Sequence, residues 1–354
     1  MLYDSSGRAF ELSDEEMGYG REGSVCRIVG EPFVAKIYHN PTPQIARKIE
    51  SMAAILSVLF ERKKQLLLKL AWPLGGLYER PDGTGFKGYY MFGAEGCVSI
   101  DVVSQFPRNP VAPTMTERQK IEMLIELCKL TAGLHDIGIT VGDWNPRNIL
   151  VGEKGSLMLL DTDSYAFTLS DVSYQTTCAA PGYIAPEVLK PMETTGVSDF
   201  ESLAAATNAP VFTPQTDDFG LAVHIFKMLN RGIHPYSSGE MDLDIFDLDD
   251  DDIPPSLNSC VCNGCSPFVG TLVGYVIPEY ALELDDFGGL MGEAFRRSLY
   301  GRAEERLDAR TWARLLDRYL SETAVCPRGG HLYYASQHEC PYCRGERALL
   351  SRLG

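Results

Sequence analysis

Val141-Gly-Asp-Trp-Asn-Pro-Arg-Asn-Ile-Leu150 places an aspartate and an asparagine five residues apart, Asp143 and Asn148, with Pro146 between them and an apolar stretch behind. Such a loop is rigid and feeds a short strand. A carboxylate at the first position can take a proton from a substrate hydroxyl. Farther on, Gly155-Ser-Leu-Met-Leu-Leu-Asp161 reads as an apolar strand ended by a carboxylate. A carboxylate there is poorly solvated unless a cation sits against it. The Asn148 carbonyl and Asp161 could therefore hold magnesium on a nucleotide. The D-x-x-x-x-N spacing alone also fits an ordinary helix-loop-strand turn, so the remaining parts must come from elsewhere in the chain.

Gly18-Tyr-Gly-Arg-Glu-Gly-Ser-Val25 supplies one of them. Gly18, Gly20, Gly23 and Val25 fit G-x-G-x-x-G-x-V, and strand-like residues flank the run on both sides. Glycines so placed let a hairpin backbone close over phosphates. A dinucleotide-binding fold would instead run strand, glycines, helix. The next strand, Phe33-Val-Ala-Lys-Ile-Tyr38, carries Lys36. Thr42-Pro43 has the form of a helix start, and Ile45, Ile49, Met52 and Leu56 recur at helical spacing. Glu50 lies beside that stripe, where it could reach Lys36.

Further elements position these residues. Strands are expected around Leu66–Leu77 and Gly88–Phe92, and Gly93-Ala-Glu-Gly96 makes a flexible connection. Thr116 and Gln119 form a capping box ahead of a long helix with Ile121, Leu124, Ile125 and Cys128 on its buried face, running to His135. His135 reads as a packed structural residue. The polar segment between Asp161 and Gly182-Tyr-Ile-Ala-Pro-Glu187 reads as a mobile surface loop. Pro214–Leu229 is apolar enough for a buried helix and contains Asp217.

A formal charge of −16 over 354 residues argues against general nucleic-acid or anionic-membrane binding. The first residues lack a basic-then-apolar signal pattern, and no apolar run reaches the length of a bilayer span, so a cytoplasmic, reduced protein is expected. Cys326, His331, Cys340 and Cys343 form two knuckles around Leu332-Tyr-Tyr334, the spacing of a zinc ribbon; His338 is a rival fourth ligand. Cys260, Cys262 and Cys265 are either a metal site short of a ligand or buried free thiols. Met241–Ile253 reads as an acidic surface insert.

From Gly18 to about Leu320 the order of parts resembles the eukaryotic-type protein kinase superfamily, in an atypical bacterial form: glycine loop, strand lysine, helix glutamate, catalytic loop, magnesium aspartate, A-P-E and the buried-helix aspartate Asp217. Arg306 falls where the family places the arginine that pairs with the A-P-E glutamate, Glu187. The resemblance implies an α+β, bilobal fold: a β-rich N-lobe over 1–93, a helical C-lobe over 94–322 with an acidic, cysteine-containing insert at about 237–270, and a zinc ribbon and tail over 323–354. It implies an ATP- and Mg²⁺-dependent serine/threonine kinase, with nucleotide in the cleft between lobes under Gly18–Val25. Lys36 would orient the phosphates, Glu50 hold Lys36, Asn148 and Asp161 ligate Mg²⁺, and Asp143 act as base. Zn²⁺ would sit in the ribbon. A kinase domain with such a ribbon resembles kinases of tellurium-resistance systems that accompany a phosphatase and a von Willebrand-type protein, which would join protein substrates as partners.

Three departures stand out. H-R-D is Val141-Gly-Asp143, the catalytic-loop lysine is Asn145, and D-F-G is Asp161-Thr-Asp163. Asn145 with Asp163 favours the alternative of a pseudokinase, a nucleotide-binding interaction module that docks partners through its ribbon, whereas retention of Lys36, Asp143, Asn148 and Asp161 favours an enzyme. With Gly142 in place of the arginine, a phosphate on Ser170, Ser173, Thr176 or Thr177 would lose its anchor. Activity is therefore expected to be independent of activation-loop phosphorylation, and slow because of Asn145.

Overall fold

Short apolar stretches bounded by turns pair into one antiparallel sheet in the first hundred residues. The computed structural model describes residues 1–239, 255–278 and 280–353, with backbone alone at 57–65 and 351–353; the acidic run Met241–Ile253 lies outside the described residues. The chain divides into two compact units, Met1–Cys97 with Met158–Tyr174, and Val98–Leu157 with Gln175–Gly354.

In the first unit, seven strands make the sheet, and Leu12–Tyr19, Gly23–Ile28, Phe33–Tyr38 and Phe86–Phe92 lie consecutively in it. The register sets Val25 opposite Lys36, and Lys36 opposite Tyr89. Gly23 permits this close pairing, since a Cβ there would stand 2.2 Å from the Ile37 carbonyl oxygen. Phe10, Cys26, Ile28, Ala35 and Leu77 form a buried core on the sheet. Helix α1 (Pro43–Leu67) opens as expected: the Thr42 hydroxyl accepts from the Ile45 N–H at 3.2 Å and Pro43 takes the first position. It runs farther than expected. Leu66 and Leu67, assigned to a strand, are its last turn, because no glycine or proline interrupts the helix-forming residues before Pro73; the strand is confined to Gly75–Tyr78.

The polar segment after Asp161 is also more ordered than expected. Phe167–Leu169 and Val172–Tyr174 pair as a hairpin around Ser170 and Asp171, at φ 49° and 65°. Two successive left-handed residues give a two-residue turn whose twist matches the strands. The Tyr174 and Ser51 hydroxyls share a hydrogen bond at 2.8 Å.

The second unit is helical. It comprises α2 (Ile100–Ser104), α3 (Glu117–His135), α4 (Pro186–Thr195), α5 (Phe200–Thr207), α6 (Pro214–Leu229), α7 (Leu257–Asn263), α8 (Gly289–Phe295), α9 (Ala309–Glu322) and α10 (Pro341–Leu353). The Thr116/Gln119 capping box starts α3, and Ile121, Leu124, Ile125 and Cys128 are buried along it. α6 is buried on almost every side. Phe226 meets Phe268 and Phe295 edge-to-face at 5.1 Å, and Phe295 lies 5.4 Å from Trp312; such pairs add to the burial they share. The strands Thr323–Val325 and Leu332–Tyr334 pair antiparallel ahead of α10. The fold is thus α+β and protein-kinase-like, with a β-rich N-lobe, a helical C-lobe and a Cys/His ribbon at the C-terminal end.

Candidate active site and metal centre

Alternation along Phe33–Tyr38 puts Lys36 and Tyr38 on one face of their strand. Lys36 is buried, and its Nζ lies 2.8 and 3.0 Å from the two carboxylate oxygens of Asp163, 3.2 Å from Asp161 Oδ1 and 3.8 Å from Glu22. The Tyr38 and Tyr89 hydroxyls donate to Asp163 at 2.6 and 3.0 Å, so the buried carboxylate receives three donor groups. Burial acts to lower the Lys36 pKa, but the carboxylates outweigh it and the pKa is raised. Burial likewise acts to raise that of Asp163, and the charge of Lys36 and the hydrogen bonds bring it below the usual range. Both side chains are held in their charged forms.

The pairing of Glu50 with Lys36 is corrected here. Glu50 lies on the exposed side of α1 and accepts from the Tyr78 hydroxyl at 2.9 Å, while Asp163 occupies the ammonium. In the sequence Asp163 stands out only as a departure from D-F-G, and the one local signal for its partners is Tyr38, two residues after Lys36; Tyr89 is brought in by the ladder, directly across from Lys36.

Asp161 stands just beyond the strand Leu157–Leu159, with φ 47° and its side chain about half exposed. A non-glycine residue in the left-handed region is held there at a cost of order 1–3 kcal/mol, which is common at functional positions. The Thr162 hydroxyl donates to the Ala71 carbonyl at 2.7 Å and anchors the turn. In the glycine hairpin the Gly20 N–H donates to the Gly23 carbonyl at 2.9 Å, closing the turn between strands that carry Gly18 and Val25.

In the second unit, Asp143 is buried in its loop. Its Oδ1 accepts from the N–H of Asn145 at 3.1 Å and of Ala180 at 3.0 Å, and its Oδ2 accepts from the Asn148 side-chain amide at 3.1 Å. Asp143 and Asn148 therefore meet directly. Asp217, fully buried at the start of α6, holds the loop. It accepts from Val141 N–H and Gly142 N–H at 2.8 Å, and from Trp144 Nε1 at 2.9 Å, with His135 Nε2 at 2.9 Å. His135 is the packed residue expected, and its partner is 82 residues away.

Gly142 has φ 72°, and a Cβ on it would stand 2.2 Å from Thr176 Oγ1. Thr176 thus fills the space beside the position where the resembling family has an arginine. Arg306 makes the expected pair with Glu187: Nη2 donates to Oε2 at 2.8 Å and Nη1 to Oε1, with the guanidinium stacked 5.2 Å from the Phe219 ring centre.

The ribbon gathers Cys326, His331, Cys340 and Cys343, whose ligand atoms lie within 4.8 Å of one another. Cys326 Sγ is 3.5 Å from Cys343 Sγ, and His331 Nδ1 is 3.6 and 3.7 Å from the sulfurs of Cys340 and Cys343. A tetrahedral ion at about 2.3 Å from sulfur and about 2.0–2.1 Å from nitrogen would set these edges at about 3.5–3.8 Å. The donor set therefore fits such an ion. His331 lies within the group, whereas His338 is exposed and outside it. The Gly329 and Arg328 N–H groups outweigh burial and hold the Cys326 thiol down to about 7. Cys260 and Cys262 are buried on α7, with Cys260 directed to the Pro255 carbonyl and Cys262 bonded to Glu193. Among the described residues the ribbon is the one group of metal-ligand type.

The ribbon also grips the helical unit. Arg231, at the end of α6, lies between the rings of Phe106 and Tyr342, 4.1 and 5.1 Å from their centres. It donates to the Tyr342 carbonyl at 3.1 Å and to Glu346 at 2.6 Å. Glu346 also faces His331 Nε2 at 3.2 Å, so one carboxylate links the metal-ligand group to the buried arginine.

No protein-family model matches the chain. It is 27% identical over 354 residues to the protein named protein kinase YegI of Escherichia coli K12, a match covering 97% of this chain and 50% of that protein. A 236-residue match, 60% of this chain and 52% of the relative, is 31% identical to MAP kinase-activated protein kinase 2 of Homo sapiens. An 88-residue match at 33% identity, 24% of this chain and 19% of the relative, links it to CBL-interacting protein kinase 17 of Oryza sativa. The chain spans about half the length of the bacterial relatives it matches. It is, over nearly its whole length, similar to a bacterial protein named a protein kinase, and over shorter stretches to eukaryotic protein kinases.

Proposed function

We propose that the chain is an ATP- and Mg²⁺-dependent protein serine/threonine kinase that works without activation-loop phosphorylation. The observation that carries this reading is Lys36: a buried, charged lysine, one strand from the glycine hairpin, with Asp161 3.2 Å from its ammonium. In this reading the backbone of Gly18–Val25 covers the phosphates and Lys36 orients them. Asn148 and Asp161 would hold Mg²⁺, and Asp143 would accept the proton of the acceptor hydroxyl as its oxygen bonds to the γ-phosphorus and the bond from that phosphorus to the bridging oxygen breaks, releasing ADP. Positioning and metal charge carry most of such a transfer, so the missing arginine and lysine reduce its rate without abolishing it. Asn145 can supply only a neutral hydrogen bond where a cation would be about twice as strong.

Zn²⁺ is the proposed occupant of the Cys326/His331/Cys340/Cys343 group. Protein substrates follow from the same reading. A partner phosphatase and a von Willebrand-type protein rest on the ribbon resemblance alone, as does a place in tellurium resistance. Among the described residues no helix is long and apolar enough to cross a membrane.

The test is transfer of labelled γ-phosphate to the protein itself and to a generic protein substrate. Asp143→Asn should abolish transfer, and Lys36→Ala and Asp161→Ala should weaken MgATP binding, turnover or both. Full transfer by Asp143→Asn, or wild-type affinity and turnover in both other variants, would sink the assignment.

A further inference from the structure

We propose that Asp163, not Glu50, is the positioning residue for Lys36: the carboxylate in the third position of Asp161-Thr-Asp163 fixes the lysine for nucleotide. The inference rests on the reading that Lys36 faces phosphate, and it deepens that reading by naming what aims the lysine.

Asp163 takes Lys36 with both oxygens, at 2.8 and 3.0 Å, a two-point contact that fixes the ammonium more closely than a single one would. The carboxylate is itself fixed, because Tyr38 donates to one oxygen and Tyr89 to the other. Both tyrosines belong to strands flanking or carrying Lys36, so lysine, carboxylate and hydroxyls form one buried cluster on the sheet. Asp161, by contrast, touches Lys36 through one oxygen, and its side chain is about half exposed, leaving it open to a metal ion. Glu22 is 3.8 Å away on the hairpin and half exposed.

Glu50 is engaged elsewhere. It accepts from Tyr78 and lies on the exposed side of α1. A glutamate that must swing in from a helix can make or break a lysine contact. A carboxylate two residues after the metal-site aspartate, locked by two hydroxyls, has no such freedom. The substitution of an acidic residue for glycine in that motif is therefore a relocation of the lysine's partner from helix to turn, and it accounts for a departure that otherwise counts against activity.

Selective acetylation reads the pair without needing catalysis. Full-length protein is treated with an N-hydroxysuccinimide acetate at pH 8.5, and Lys36 modification is followed by peptide mass spectrometry. Removing the carboxylate that holds the ammonium at two points frees the amine to meet the reagent. Asp163→Asn should raise the rate at Lys36 several-fold and weaken MgATP binding. Glu50→Gln should change both by less than about twofold. Equal effects of the two variants, or no effect of Asp163→Asn on the acetylation rate, would overturn the proposal.

Asp163→Asn leaves a buried ammonium short of charge and could unfold the unit. A thermal unfolding cycle covers that case: adding Lys36→Met should restore most of the lost melting temperature if the unpaired lysine is the cause. A double variant no more stable than Asp163→Asn would refute the pairing. Wild-type protein that binds no MgATP would sink the phosphotransfer reading instead, and the acetylation ratio would still decide which carboxylate holds Lys36.

Discussion

Gly142 and Thr176 leave each other no room: the threonine hydroxyl stands only 2.2 Å from where a Cβ at position 142 would be, and Thr176 is 1% exposed. The loop before Asp143 and the segment after the Phe167–Tyr174 hairpin have been shaped together, with a packed threonine in place of an ion pair to phosphate. Two expectations follow. Gly142→Arg should destabilise the helical unit by about 2–5 kcal/mol, combining left-handed strain with overpacking, as read by urea unfolding. Replacement of Ser170, Ser173 and Thr177 by alanine, followed by phosphatase treatment, should leave phosphotransfer within about threefold of wild type. Loss of transfer in that variant would refute independence from phosphorylation.

The ribbon should carry about one zinc per chain, measurable by elemental analysis of freshly purified protein. The double variant Cys340→Ser/Cys343→Ser should lose it. Because Glu346 joins His331 to Arg231, the loss should reach the helices. Releasing a buried arginine from its acceptor costs about 3 kcal/mol, or roughly 6–12 °C in melting temperature for a unit this size. Zinc retained by the double variant would count against the ligand set.

Arg306→Ala should lower stability by about 2–4 kcal/mol. It removes a nearly buried guanidinium that is stacked on Phe219 and in bidentate contact with Glu187, and leaves that partly exposed carboxylate without its partner. Glu187→Gln, which keeps neutral hydrogen bonds, should cost less. Chemical denaturation of the two variants distinguishes a charge pair from simple packing.

Stability of the helical unit should fall between about pH 4 and 7. Burial pushes the Asp218 carboxyl up to about 7; the charge of His135 opposes this, and those of Asp217 and Asp308 reinforce it. Its pKa is raised on folding, so the unfolded chain loses the proton first and stability drops as pH rises through that window. His135 works in the same direction. Burial lowers its pKa but the hydrogen bond and charge of Asp217 raise it more, so its contribution is full below the unfolded value and is lost as pH climbs through the folded one. Asp218→Asn should flatten the slope and add on the order of 2–4 kcal/mol at pH 8. An unchanged pH profile would show that Asp218 is not the titrating group.

Local pattern carried much of this in the sequence. The Thr42 and Thr116 caps, the glycine hairpin, the place of Lys36 on its strand and the Cys/His spacing each depend on neighbours within a few residues, and each is present as expected. The misreadings share a cause. Lys36 and Asp163 are 127 residues apart, and which carboxylate meets the lysine depends on how α1 is turned, which periodicity leaves uncertain by a residue. The hairpin at Ser170-Asp171 has strands only three residues long, too short for an alternating pattern to stand out in the sequence. The grip of the ribbon on Arg231 spans 111 residues and joins an arginine to a backbone carbonyl, a contact with no spacing to reveal it.

That grip bears on where this protein can be cut. A chain ended after α9 would keep every helix of the kinase-like unit, yet it would leave the Arg231 guanidinium in an apolar slot, stripped of the Tyr342 ring, the Tyr342 carbonyl and Glu346 together. Tyr342 would also take with it the hydroxyl that donates to the Leu229 carbonyl at the end of α6. Ending the chain before α10 should therefore destabilise the helical unit. Arg231 is shared between the helical unit and the ribbon, so a lineage that lost the ribbon would leave this arginine without the ring, carbonyl and carboxylate that hold it.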